Sequence, residues 1–301
     1  MINSKFASLE TQAFKQSAEE SICFAAASLN QIVITNPDLV NQAARELGAN
    51  GSTRLGNLAL TASKSHVELA RSFASKWNIS FERALLLICL AEEMNGHRHL
   101  IVDKSGNLVS WDPSTGEIIA GGRMDWILAT RQKISGGSLY PRELVGAEGF
   151  NLILRSPNVS GNLISIVWDE VNQSRHLLTI LKVEGNRVYF LDSINTQNRY
   201  FKLLFQTART ESGNIWSVSL EELVNSGRIR YIIAQPGLHP GGVMSATNLV
   251  AAPKMADGLE YFVYSEFLKS RRDNKEKATE YLKEKKKNLK PYSIKPETFS
   301  E

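Results

Sequence analysis

The stretch Ser174-Arg175-His176-Leu177-Leu178-Thr179-Ile180-Leu181-Lys182-Val183-Glu184-Gly185-Asn186-Arg187-Val188-Tyr189-Phe190-Leu191-Asp192-Ser193 decides how this chain is read. Two apolar runs, His176 to Val183 and Val188 to Leu191, flank Glu-Gly-Asn-Arg, which is turn chemistry between strand formers. A β-hairpin is predicted. Its first strand opens on an imidazole and its second closes on a carboxylate, so a group that exchanges protons near neutral pH lies close to one able to orient it. Two registers are compatible with the residues. A turn centred on Glu184 sets Asp192 opposite His176; a turn centred between Gly185 and Asn186 sets it opposite Thr179 and requires a β-bulge to bring the two side chains together.

Such a pair lacks a nucleophile, and Glu20-Ser-Ile-Cys23-Phe-Ala-Ala-Ala-Ser28-Leu29 offers one. A thiol at the start of a helix sits where the helix dipole and the free backbone N–H groups favour the thiolate. Each residue also has a plainer role open to it. A free cysteine among alanines is commonly a small buried apolar group, a histidine at a strand start can face solvent, and an aspartate before a serine can simply end a strand.

Taken in order, Cys23, His176 and Asp192, followed by Trp216-Ser-Val-Ser-Leu-Glu-Glu-Leu223 and Arg230-Tyr-Ile-Ile-Ala234, resemble the papain-like cysteine hydrolases. The nearest branch is the bacteriocin-processing peptidase-like group, with bacterial effector proteases and deamidases as relatives. The resemblance runs from Cys23 to Ala234, and Phe24 stands where those proteins usually carry a glycine. It implies an α+β fold in which an N-terminal helical layer carrying the nucleophile packs on an antiparallel sheet. It also implies a Cys23-His176-Asp192 triad and a glutamine ahead of the cysteine as oxyanion donor. Gln16 is the candidate for that role and Gln12 the second choice. The implied activity is a thiol hydrolase acting on amide bonds of a protein or peptide, as a peptidase, glutamine deamidase or transglutaminase, with no cofactor and no metal. The competing expectation is a non-catalytic protein-interaction module on the same scaffold.

The 301 residues, 43% hydrophobic and 22% charged, have the composition of an ordinary globular protein with room for a large core. No apolar run reaches the roughly 18 residues of a membrane span, and the first dozen residues lack the apolar centre of a signal peptide. The expectation is a cytoplasmic protein with no membrane span, with delivery by a dedicated secretion system also compatible. Two cysteines are too few for a disulfide framework and suggest a reducing compartment.

Apolar spacing near 3.6 predicts helices over 19–34, 39–47, 54–76 and 81–94, so that an enlarged helical part fills about 19–95. The period then falls to two. Strands are predicted over 99–102, 106–111, 117–120, 151–154, 163–168, 200–205 and 229–234, with helices over 124–132 and 220–224. A catalytic domain over 1–240 is followed by a linker and a charged helical extension over 241–301. The net charge of +4 resides in that extension, where Lys269 to Lys290 contains ten Lys or Arg against four Asp or Glu. Glu276, Glu280 and Glu284 interleave with lysines as in a solvated helix, so a partner protein or an anionic surface is the expected contact and nucleic acid is disfavoured. A second group, Cys89, His97, His99 and Asp112, is weaker. Its cysteine sits mid-helix in an apolar run, and His97, His99 and Asp112 lack a patterned fourth metal ligand.

Overall fold

A computed structural model describes residues 9–17, 20–96, 98–119, 124–135, 150–151, 154–155, 159–169, 174–194 and 199–233. The fold is α+β. The predicted extension over 241–301, together with His97, lies outside the described residues.

Four helices open the chain: α1 (Cys23–Thr35), α2 (Pro37–Asn50), α3 (Lys64–Trp77) and α4 (Phe81–Glu93). Their boundaries follow local chemistry. Asn36 separates α1 from α2 and caps the latter by accepting from Leu39 N at 3.2 Å, with Pro37 in the first turn, where its missing N–H does no harm. Ser63 caps α3 in a reciprocal capping box with His66, and Ser80 caps α4. Residues Ala84 to Ala91 of α4 are all buried, so this helix is the centre of the first core, with Leu29 and Ile32 of α1 and Val40 and Leu47 of α2 around it.

The helical layer is not continuous. Residues 54–61, predicted as the front of a long helix, form the hairpin β1 (Ser52–Leu55) and β2 (Leu58–Thr61) instead. Leu55, Leu58 and Leu60 satisfy both periods, but Gly56-Asn57 between them is a two-residue turn, and burial alternates along both strands.

A three-stranded meander of β3 (His99–Val102), β4 (Leu108–Asp112) and β5 (Glu117–Ile119) follows, and then helix α5 (Met124–Ser135). Residues 150, 151 and 154 are helical rather than extended, because Phe150 and Leu154, four apart, both enter the second core.

The main sheet contains β6 (Leu163–Asp169), β7 (Ser174–Glu184), β8 (Arg187–Leu191), β9 (Arg209–Ser212), β10 (Ile215–Ser219) and β11 (Ile229–Ile233). Its order is β11-β6-β7-β8-β10-β9, antiparallel throughout. Leu163 and Leu177 face the helical layer, while Ile164, Ile166, Leu178 and Ile180 face the second core, the alternation expected of a sheet buried on both sides. The second core is closed by α6 (Arg199–Leu204) and α7 (Leu220–Asn225). Residues 200–205 were predicted as a strand. Phe201 and Phe205 are spaced by one helical turn and both lie against Trp216, which selects the helix. Helix α1 lies across β7, tied to it where Thr179 Oγ1 donates to Ala27 O at 3.1 Å.

Candidate functional site

The hairpin turn is centred between Gly185 and Asn186, with Gly185 at φ +57. Glu184 pairs with Arg187 and Val183 with Val188; the register then shifts between Ile180 and Lys182, so that Thr179 pairs with Leu191. Without that shift Asp192 would oppose Thr179, one strand position out of phase with His176. With it, Leu191 opposes Thr179, and Asp192, just past the end of β8, comes within reach of the His176 ring. The bulge at Leu181 therefore decides the contact. His176 Nε2 and Asp192 Oδ1 are 2.7 Å apart, and both side chains are buried.

His176 is also hydrogen-bonded to the side chain of Cys23. Cys23 is the first residue of α1 and is half-buried, open where the imidazole and carboxylate are not. No side chain caps this helix: Ile22 occupies the N-cap, and its carbonyl accepts from Ala25 N and Ala26 N. The first-turn N–H groups and the positive end of the helix dipole thus lie at the sulfur. Burial opposes a charged imidazole, but the adjacent Asp192 charge, the hydrogen bonds from Asp192 and Cys23, and the Cys23 sulfur outweigh it and push His176 up to about 10.

Asp192 is fixed from two further sides. Its Oδ1 accepts from Ile194 N at 2.9 Å, and Asn214 Nδ2 donates to its carbonyl at 2.9 Å. Asp192 N donates to Asn214 O, which carries the β8–β10 ladder one step past the strand ends.

Gln16, the candidate oxyanion donor, is 1% exposed. Its backbone N donates to Ser193 O at 2.7 Å, and it bridges in parallel to Ile194, next to Asp192. The segment is held from the other side by Asn30 of α1. Asn30 Oδ1 accepts from Phe14 N at 2.7 Å and its Nδ2 donates to Phe14 O at 3.2 Å, a side-chain amide acting as a strand partner. Gln16 Nε2 donates to Glu20 O at 3.4 Å, while its Oε1 is buried without a partner. Gln12, the second choice for an oxyanion donor, accepts at its carbonyl from Arg83.

The chain thus joins Asp192, His176 and Cys23 in one hydrogen-bonded line, with Gln16 beside the aspartate. No protein family, curated protein or solved structure matches this chain.

Sequence reasoning missed Asn30, Asn214 and Glu20 as supports of this arrangement. Asn30 and Asn214 sit in runs that read as ordinary helix and turn, and Glu20, read as a helix-start residue, lies instead before α1 and pairs with Lys76 at 2.9 Å. Asn30, Asn214 and the Glu20–Lys76 pair have no local signature, because their partners are distant in the chain.

The second cysteine group is assembled differently from the expectation. Cys89 Sγ lies 3.5 Å from Nδ1 of His66, not beside His99 or Asp112; His66 Nε2 is 3.3 Å from Glu92, which also binds His99 at 3.0 Å. Asp112 instead holds Ser114 and lies 3.6 Å from Arg98. Contact with Cys89 and then Glu92 pushes His66 up to about 10. Cys89 is nonetheless buried in mid-helix, where backbone N–H groups are spent on the helix, and His66 Nδ1 already accepts from Ser63 N at 3.1 Å. Among the described residues no group of three or more His, Cys, Asp or Glu is arranged to hold a metal ion. No described helix is long and apolar enough to cross a membrane.

Proposed function

We propose that the protein is a papain-like thiol hydrolase acting on amide bonds of a protein or peptide. The observation that carries this reading is the unbroken hydrogen-bonded run from Asp192 through His176 to Cys23 at an uncapped helix start. In this mechanism His176 holds the proton that the thiol gives up, and the Cys23 sulfur adds to the amide carbonyl carbon while the carbonyl π pair moves to oxygen. Gln16 Nε2 and the Cys23 backbone N–H are the proposed donors to that oxyanion. Collapse breaks the C–N bond, the imidazolium protonates the leaving nitrogen, and a thioester remains. Water, deprotonated by His176, then releases the acid. Asp192 holds the ring in one tautomer and one orientation throughout. A peptide bond and a glutamine side-chain amide use the same steps, and a transglutaminase replaces the water with an amine.

The test is alkylation of Cys23 by iodoacetamide, followed by mass spectrometry. At pH 6.5, where a free cysteine is about 1% thiolate, Cys23 is expected to react about tenfold faster than a free thiol, and His176→Ala is expected to remove that advantage. Labelling no faster than a free thiol, and indifferent to the histidine, would instead favour a non-catalytic interaction module on this scaffold.

A further inference from the structure

Residues 16, 17 and 20–22 precede the nucleophile, and one buried carboxylate organises them. The Glu20 side chain is 1% exposed. Its Oε2 accepts from Ser17 N at 2.8 Å, and its Oε1 accepts from Lys76 Nζ at 2.9 Å and from Trp77 Nε1 at 3.4 Å. Its own carbonyl accepts from the Gln16 side chain. The carboxylate and the carbonyl of one residue therefore hold the lead-in twice, at Ser17 and at Gln16.

Lys76 carries the restraint outward. Its ammonium also donates to Gly106 O at 3.3 Å and Asn107 Oδ1 at 3.1 Å, in the turn between β3 and β4, and Ser21 N donates to Leu108 O at 3.0 Å. The lead-in is thus clamped between α3 and that turn. A buried carboxylate costs several kcal/mol in desolvation that an apolar residue would avoid, so its presence in this lead-in needs a return in positioning. Gln16 shows what is positioned. Its amide has a single long hydrogen bond, to Glu20, and its oxygen has no partner, so the lead-in rather than its own contacts sets where Nε2 points.

We propose that Glu20, held by Lys76 and Trp77, is a positioning residue that aims the Gln16 amide at the oxyanion formed beside Cys23. This rests on the thiol-hydrolase reading above. Displacement of an oxyanion donor by about 1 Å costs on the order of 100-fold in rate, whereas alkylation of the thiolate forms no oxyanion.

Two reactions of Cys23 separate the effects. With p-nitrophenyl acetate, the sulfur forms an S–C bond to the acetyl carbon, the ester C–O bond breaks, and p-nitrophenolate leaves with the electron pair; passage through the tetrahedral oxyanion makes this rate sensitive to the donors. With iodoacetamide, sulfur displaces iodide directly. Gln16→Ala and Glu20→Gln are each expected to slow S-acetylation of Cys23 by about 10- to 100-fold, and to leave its alkylation within about threefold. The double variant is expected to be no slower than Gln16→Ala alone, because Glu20 acts through Gln16. Lys76→Met provides the same comparison should Glu20→Gln fold poorly. Unchanged acetylation in Glu20→Gln and Lys76→Met overturns the inference, as does equal loss in both reactions, or a double variant whose losses multiply. A wild-type Cys23 that is acetylated no faster than a free thiol sinks the hydrolase reading itself and this inference with it.

Discussion

At the residue scale the decisive quantity is the charge state of His176. In the folded protein its ring keeps a proton up to about pH 10, whereas an unfolded histidine releases it near 6.5. Between those values the folded state binds more protons than the unfolded one. The stabilisation is therefore complete below about 6.5 and is lost as pH rises through about 10. Thermal melts from pH 6 to 10.5 should show the melting temperature of the wild type falling across this window, with a shallower fall in His176→Gln. A parallel slope in the two proteins would remove His176 as its source. Asp192→Asn keeps an acceptor for the ring but not the charge that supports its proton, so the His176 ring is expected to titrate lower, read by NMR of the imidazole carbons. Cys23 and His176 could be singled out because the chain has only two cysteines and five histidines, and Asp192 because it follows the hairpin that His176 opens. Their supports were not, since asparagines at positions 30 and 214 are common residues whose roles come from distant backbone groups.

At the element scale, the bulge in β7 sets the phase of the site. Because the pairs beyond it already set Thr179 opposite Leu191, deleting Leu181 closes the bulge without moving Asp192 relative to His176. Cys23 alkylation in that variant should stay well above the rate of His176→Ala. A fall to the His176→Ala rate in a folded deletion variant would disprove the register argument. The requirement for a bulge was readable once the turn was placed, but Glu-Gly-Asn-Arg alone admits both centres. A second element-scale constraint joins α4 to α5. Gly96 has φ +67, and a Cβ there would fall inside the Trp126 ring, so Gly96→Ala combines backbone strain with overlap and should lower stability by about 1–3 kcal/mol in denaturant melts.

For the whole molecule, the helical layer carries a charge that its interior does not answer. Arg131 of α5 is 1% exposed, donates to Ser28 Oγ at 3.2 Å and to Gln31 Oε1, and among the described residues has no partner at Nε and no ion pair. Burial alone pushes its guanidinium down to about 9. Arg131→Met removes a desolvation cost of several kcal/mol and orphans the Gln31 carbonyl at about 1–3 kcal/mol, so the desolvation saving is the larger. The variant is expected to be more stable at pH 7 by about 1–2 kcal/mol, raising the melting temperature by a few degrees. A lower melting temperature would show that Arg131 holds α5 against α1 by more than its two neutral acceptors.

Residue chemistry and periodicity, by themselves, determined that a largely helical first third precedes a strand-rich part, the hairpin that carries His176 and leads into Asp192, and the buried character of α4, while the helix expected over 19–34 begins at Cys23. They determine these because scarce functional groups, turn residues and apolar spacing act within a few residues of each other. Tertiary structure alone decided that residues 54–61 are a hairpin, that residues 199–204 are helical against Trp216, that Cys89 meets His66, and that Glu20 is buried against Lys76. In each case two local conformations or partners are close in free energy, and burial against a distant element selects between them.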